Sequence, residues 1–240
     1  MKKNILLTII TVLAVVLIGC SKGVTGPAGA PGSDGSNVTT IVLENGVYPS
    51  SAYNSIEGSA MMHGTVGNDF TAIDTGSCAN VSVGYTDVMN FGAMRGVIRG
   101  DVSYIIPDNV DVVSAKLVVN VIGISGSNIN VSAYKLNAAW TKGSQCIATS
   151  TDGVTWATTN GTTPWASAGG DYDAASSGGA TAITATDEYE IEIKPSVVEG
   201  WLADPSTNFG VILISSNETT EGYFSIVGAD AKLKLTYILP

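Results

Sequence analysis

Three segments of this 240-residue chain carry apolar side chains at every second position. They are residues 116–121 (KLVVNV), 188–193 (EYEIEI) and 232–237 (KLKLTY). A period of two places alternate side chains on opposite faces of a β-strand, whereas an amphipathic helix repeats about every 3.6 residues. We therefore predict three strands, each with one buried face, and these strands constrain the fold more than any other feature.

Short apolar runs separated by Gly, Asn, Asp and Ser indicate further strands. They lie at 38–44, 57–63, 69–74, 79–84, 94–103, 129–136, 209–215 and 222–227. One helix is predicted at 195–202, where Pro195 suits a first helical position. Many short strands with so little helix predict an all-β fold, a jelly-roll-type β-sandwich with a long irregular loop and one short helix.

The N-terminus has the pattern of an export signal that ends in a lipid anchor. Two lysines precede fourteen mostly apolar residues, 5–18, a run too short to span a bilayer core of about 30 Å but suited to a signal peptide. The run ends in Leu17-Ile18-Gly19-Cys20, which resembles the lipobox of bacterial lipoproteins. We expect residues 1–19 to be removed and Cys20 to be lipidated, although an ordinary signal peptide is the alternative. Ser21, where a retention aspartate is absent, favours the outer membrane or cell surface of the bacterial envelope.

Residues 23–37 form five consecutive triplets that each begin with glycine. This is the collagen period, in which only glycine fits the axis of three wound chains. A flexible spacer is one interpretation and is the one preferred for so short a tract; a trimerising stalk is the other. The predicted domains are thus a signal peptide (1–19), a lipidated collagen-like spacer (20–37) and one β-sandwich (38–240).

The composition excludes some partners and leaves two cysteines to explain. Removing Lys2 and Lys3 changes the net charge from -10 to -12, which disfavours binding to nucleic acid or to an anionic bilayer surface. Cys78 and Cys146 form an even pair in an exported chain and suggest a disulfide, with two free thiols as the alternative. His63 is the single histidine, and nothing around it resembles a catalytic triad.

Residues 137–187 are poor in aliphatic side chains and contain three of the four tryptophans. So long a stretch without regular structure indicates either a binding function or a cover over the sandwich. Arg95, Arg99 and Asp101 fall on one face of a predicted strand, and we expect an ion pair among them that stabilises the fold.

An ordered set of short motifs across residues 68–240 resembles the DNRLRE-type domain, a relative of the disaggregatase repeat classed among carbohydrate-binding modules. The motifs are 95–103 (RGVIRGDVS), 106–107 (IP), 114–119 (SAKLVV), 140–143 (WTKG), 153–156 (GVTW), 164–165 (PW), 169–173 (GGDYD), and Val198, Trp201, Leu202, Asn208 and Gly210. Gly100 and Lys142 depart from the family pattern, which has an aromatic and an acidic residue there. The resemblance implies a jelly roll and an accessory binding role without catalysis.

Sugar recognition uses aromatic rings against the apolar faces of pyranoses, with polar groups that fix their orientation. The candidate carbohydrate-binding residues are Trp156, Trp165, Tyr172, Asp171 and Trp140; the tryptophans are alternatively plugs over the sandwich. Asp171 and Asp173 are a weak candidate Ca²⁺ site.

We therefore expect a non-catalytic surface lipoprotein that binds polysaccharide. The main alternative is a structural or adhesive envelope subunit, a homo-oligomer of trimeric or polymeric form, that binds proteins rather than glycans. A glycan-cleaving enzyme with paired carboxylates is disfavoured because no acidic pair lies in a motif that demands such chemistry. The expected partners are membrane lipid at Cys20 and either a polysaccharide or an envelope protein.

Overall fold

A computed structural model describes residues 37–103, 106–107, 109–127 and 129–240. The predicted signal peptide, Cys20 and almost all of the glycine triplets lie outside the described residues. In the part of the chain that is described, no helix is both long and apolar enough to cross a membrane.

The described chain contains fourteen strands and one α-helix, and the predicted all-β sandwich is confirmed. The strands are β1 Val38–Leu43, β2 Glu57–Met62, β3 Ile73–Asp74, β4 Asn80–Thr86, β5 Gly92–Arg99, β6 Asp111–Gly126, β7 Ile129–Leu136, β8 Ala148–Thr149, β9 Tyr172–Asp173, β10 Ala180–Ile183, β11 Glu188–Ile193, β12 Val211–Ser215, β13 Gly222–Val227 and β14 Lys232–Ile238. The helix, α1, spans Pro195–Ala203 and begins with its proline in the first turn, as the sequence predicts.

The strands form two layers that share one long strand. The first layer has the order β1-β14-β6-β11, and all of its pairs are antiparallel. The second layer has the order β6-β13-β4-β5-β12-β7-β10, with β2 also paired to β5 and β9 paired to β7. The first half of β6 pairs in the first layer and its last residues, 121–126, pair with β13 in the second.

The period-two alternation fixes which side chains enter the core between the layers. Most inward positions on β6, β11 and β14 are buried: Leu117, Val119, Ile191, Leu233 and Leu235 are at most 4% exposed, whereas Tyr189 is only partly buried. Most of their outward neighbours are lysines and glutamates that remain at least partly exposed, although the outward Val118 is buried. The alternation therefore predicts these strands and their register together.

Several predicted boundaries are wrong at particular residues. The strand predicted at 69–74 is reduced to Ile73–Asp74, and the strand predicted at 94–103 ends at Arg99. The chain instead forms a turn at Asp101, whose Oδ1 accepts hydrogen bonds from Ser103 N at 2.8 Å and Ser103 Oγ at 2.7 Å. Such aspartate turns compete with strand pairing, which explains the early end.

The long stretch 137–187 lies over the outer face of the second layer. It is mostly irregular, but it contains β8, β9 and β10, which the sequence analysis missed. Under it lies a second apolar cluster that joins strand residues to loop residues: Met61, Ala93, Val97, Leu136, Trp140, Val154, Trp156, Trp165 and Ile212. We call residues 137–173 the cover, because these residues bury an outer sheet face that solvent would otherwise contact.

Candidate functional site

The candidate site predicted from the sequence lies in the cover, and the structure places its three tryptophans in the protein interior. Trp140, Trp156 and Trp165 are 3%, 7% and 5% exposed. A ring that binds a pyranose face must present that face to solvent, and rings this buried cannot do so without rearrangement. In this structure the cover tryptophans are packing residues.

Trp140 follows β7 and is held from two sides. Its Nε1 donates a hydrogen bond to the Phe209 carbonyl at 2.8 Å. The Arg99 guanidinium lies 4.8 Å from the centre of the indole ring, and its Nη1 donates to the Trp140 carbonyl at 3.1 Å. The indole therefore has a partner for its single polar atom as well as a cation against its face.

Trp156 packs under Arg95, the outward-facing arginine in the middle of β5. The guanidinium carbon lies 4.7 Å from the Trp156 ring centre and 5.9 Å from that of Tyr172. His63 contacts the same indole edge-on, with 5.1 Å between ring centres. Arg95 is thus placed between two aromatic rings of the cover and fixes the cover to the sheet.

Glu218 neutralises Arg95 with a two-point ion pair. Arg95 Nε donates to Oε1 at 2.8 Å and Nη2 donates to Oε2 at 2.7 Å, while Nη1 donates to the Gly169 carbonyl at 2.9 Å. Burial alone would lower the pKa of Arg95, but the hydrogen bonds and charge of Glu218, with a smaller contribution from Tyr172, outweigh it and raise the pKa. The sequence analysis missed Glu218.

The expected ion pair with Asp101 is therefore wrong. Arg95 pairs with Glu218, and Arg99 pairs with Glu57, whose Oε1 lies 2.6 Å from Arg99 Nε. Asp101 lies beyond the end of β5 and caps a turn, so it no longer shares the sheet face that the alternation assigned to it. The two arginines share a face as predicted, but their partners come from other strands and loops.

Trp165, Asp171 and Tyr172 close the last loop of the cover. Trp165 Nε1 donates to the Thr155 carbonyl at 2.9 Å. The Asp171 carboxylate accepts backbone hydrogen bonds from Ala166 N and Ser167 N, both at 2.7 Å. Tyr172 is half-buried in β9, with its ring 5.2 Å from that of Tyr134. The structure brings these residues together, but as the internal contacts of a folded loop.

The residues of the weak Ca²⁺ candidate both cap backbone. Asp171 is occupied as described, and Asp173 Oδ1 accepts from Ala175 N at 2.9 Å at the start of a short 3-10 helix. Among the residues that the structure describes, no group of three or more His, Cys, Asp or Glu side chains could hold a metal ion.

Cys78 and Cys146 are joined by a disulfide that ties the first residues of the cover to the loop after β3. Beside it, Asp74 is fully buried and accepts hydrogen bonds from Gly76 N at 2.6 Å and Gln145 N at 3.1 Å. The carboxylate packs against Gly143 and Gly153, where an added Cβ would lie only 2.3–2.6 Å from it. This buried acid was not predicted from the sequence.

A polar cleft lies at the end of β5, outside the cover. It has a volume of about 450 Å³ and is lined by Ser55, Arg99, Gly100, Asp101, Ser103, Pro205, Ser206 and Asn208. The Tyr53 hydroxyl beneath it donates to the Asp101 carbonyl at 2.9 Å; burial and then the charge of Asp101 raise the pKa of Tyr53 to about 12. The cleft offers an arginine, hydroxyls and an amide within one concave surface.

No protein-family model matches the chain, and a search of curated proteins finds no match. The resemblance to the DNRLRE-type domain therefore stays a prediction, carried by the motifs in the sequence.

Proposed function

We propose that this protein is a non-catalytic, lipid-anchored module of the bacterial cell envelope that acts as a structural or adhesive subunit. Cys20 is its anchor, residues 21–37 are the spacer, and the described β-sandwich is the part presented to partners. The observation that carries the proposal is the burial of the three cover tryptophans. Because these tryptophans are used to hold the cover on the sheet, we assign the contacts with a partner to exposed residues on the outer surface of the sandwich.

The packing of the cover supports a structural role for this domain. The disulfide, the buried Asp74 and the Arg95–Glu218 pair each fix irregular chain at a different point. Irregular surface loops that carry binding function are usually less constrained. A domain held in this way suits a subunit that keeps its shape while exposed outside the cell.

The anchor and the adhesive role can be tested together in cells that carry the full chain. We expect wild-type protein to incorporate a labelled fatty acid, to be digested by protease added to intact cells, and to increase cell attachment to a coated surface or to neighbouring cells. Cys20→Ala should lose the label and the attachment at matched expression. Unchanged labelling of Cys20→Ala would contradict the anchor, and equal attachment would contradict the adhesive role.

Polysaccharide binding is a second candidate function, and the polar cleft is the observation that favours it. A volume of about 450 Å³ falls in the range of small-molecule sites, which is roughly 300–1,000 Å³. The cleft contains Arg99, Asp101 and Asn208, which can donate to and accept from sugar hydroxyls. If the protein binds glycans, we propose this cleft rather than the cover as the site.

The exposed Ser206 at the rim of the cleft allows a test that leaves the core untouched. Immobilised neutral and acidic polysaccharides should retain wild-type protein and Ser216→Trp, an equally exposed control outside the cleft. Ser206→Trp should lose at least tenfold in affinity because the indole fills the cleft. Binding that survives Ser206→Trp would remove the cleft as the site, and an absence of binding to every glycan would remove this second function.

A further inference from the structure

The outer face of the first layer changes character along its length. At one end, Lys116, Lys232 and Lys234 alternate with Glu188 and Glu190, and the closest pairs, from Lys116 and Lys234 to Glu190, join at 2.5–2.7 Å. At the other end the outward side chains become largely apolar, although the exposed Asp111 of β6 also lies there. Four of the eleven large apolar side chains that are exposed among the described residues belong to this end of the sheet and the residue after it: Val38, Val113, Ile238 and Leu239; a fifth, Val42, lies across from Lys234 in the charged half.

The strand register places these side chains side by side. Val38 pairs with Ile238, and Ile238 pairs in turn with Asp111 on β6. The register shifts between Thr236 and Tyr237, so that Val113 is an extra residue on β6 at this point and is 53% exposed. Between the apolar side chains, Thr40 and Thr236 satisfy each other with a 2.8 Å hydrogen bond between their hydroxyls. The result is a small apolar surface bordered by Asp111, and we call Val38, Val113, Ile238 and Leu239 the apolar end.

The apolar end lies where the glycine-triplet tract joins the domain. The tract ends at Asn37, one residue before Val38, and Leu239 N donates to the Asn37 carbonyl at 3.1 Å. The first and last described segments of the chain therefore meet at this surface. Among the described strands, β1 pairs only with β14, so the surface also reaches an edge of the sheet.

We propose that the apolar end is a self-association surface that packs against the corresponding region of a second copy of this chain, within a trimer. Exposed apolar patches bordered by polar residues mark interaction sites. A second copy is the occupant because a collagen-period tract is stable only with three chains, and five triplets are too few to hold three chains without contacts from the attached domain. Contacts at the apolar end would bring the C-terminal ends of three tracts together where each tract joins its domain.

The arrangement is a closed, head-to-tail ring in which each copy uses neighbouring parts of the same face. The inference rests on the proposed envelope display in one respect only, namely that all copies extend from one membrane in the same direction. This orientation suits a threefold axis along the tracts. The lysines and glutamates of the charged half already pair with one another, which leaves the apolar end as the contact.

The test uses the full chain, solubilised in detergent, and measures its protein mass by light scattering with the detergent contribution subtracted. Wild-type protein should have three times the mass of one chain. Val113→Asp and, independently, Ile238→Asp should lower the mass threefold, because each buries a carboxylate in the contact. Val66→Asp is the matched control, since Val66 is fully exposed in a loop after β2, and it should stay trimeric.

A cysteine cross-link in intact membranes provides the second measurement. Val113→Cys treated with a short bismaleimide should give covalent dimers at least tenfold more abundant than Val66→Cys, because one free thiol in each chain lets the reagent join two chains. A monomeric wild-type chain, a dimer, or a trimer that survives both aspartate substitutions would overturn the proposal. Failure of Cys20 to take up the fatty-acid label would instead contradict the proposed envelope anchor. The mass measurements would then still decide, independently, whether the chain is a trimer.

Discussion

Replacing Trp156 by alanine removes the ring that lies between Arg95 and His63 inside the cover. Trp156 is 7% exposed, and truncating a buried aromatic side chain costs about 3–5 kcal/mol in the free energy of unfolding. The contact with the Arg95 guanidinium at 4.7 Å contributes about 0.5–2 kcal/mol of that loss. We expect a total near the middle of this range, about 4 kcal/mol.

For a domain of this size, about 4 kcal/mol corresponds to a fall in melting temperature of roughly 8–16 °C. Thermal and urea unfolding of the purified protein, followed by circular dichroism, measures both quantities. Val66→Ala is the control, because a fully exposed side chain should change the stability by less than about 0.5 kcal/mol. If Trp156→Ala unfolds within about 1 kcal/mol of wild type and abolishes binding to a glycan, the tryptophan is a binding platform and the reasoning is refuted.

Three further outcomes are expected from other parts of the fold. Gly143→Ala should destabilise the protein by about 1–3 kcal/mol more than Gly67→Ala in urea unfolding. Both glycines have φ near +86°, but only the alanine at 143 would place its Cβ against the Asp74 carboxylate. Equal losses of unfolding free energy in the two variants would contradict this contact. Cys78→Ser should lower the free energy of unfolding by about 2–4 kcal/mol, and a reducing agent should lower it equally in wild type but not in the variant. Hydrogen bonds from two lysines lower the pKa of Glu190 below 4.5. The contribution of Glu190 to stability should therefore be present above pH 4.5 and be lost as the pH falls through the lowered pKa. Glu190→Gln should be less stable than wild type at pH 7 and low salt, and equally stable at pH 2.

The strands could be predicted because their signal is local. Alternation in residues 188–193 or 232–237 depends only on which face of one strand is buried, and the burial in the structure repeats it over 190–193 and throughout 232–237. Strand ends were harder, since Asp101 ends β5 through a side-chain hydrogen bond that no apolar pattern records. The helix was predicted because its proline and its apolar spacing agree.

The cover could be anticipated only in part. Residues 211–214 (VILI) are apolar without alternation, and the first three of them are buried on both sides, which indicates that something covers the outer face of that sheet. The sequence does not say what does so, because a tryptophan in a polar loop suits a sugar platform and a plug equally well. The pair that decides the matter joins Arg95 to Glu218, 123 residues apart, and such a contact follows from the completed topology alone.

Asp74 and the polar cleft could not be predicted for the same reason, because both depend on contacts between residues that are far apart in the sequence. An aspartate two residues before a glycine resembles an ordinary turn residue, and its complete burial arises only when the cover folds against it. The cleft collects residues from around 55, 99–103 and 205–208, which no spacing in the sequence relates to one another.

Collisional quenching of tryptophan fluorescence by acrylamide tests the central claim, that the cover is packed structure and not a carbohydrate platform, most directly. All four tryptophans are at most 7% exposed. The account predicts weak quenching in the native protein, strong quenching after unfolding in urea, and no change in native quenching when a polysaccharide is added. Strong quenching in the native state that a polysaccharide suppresses would show that the rings are open to solvent and bind sugar, and would contradict the account.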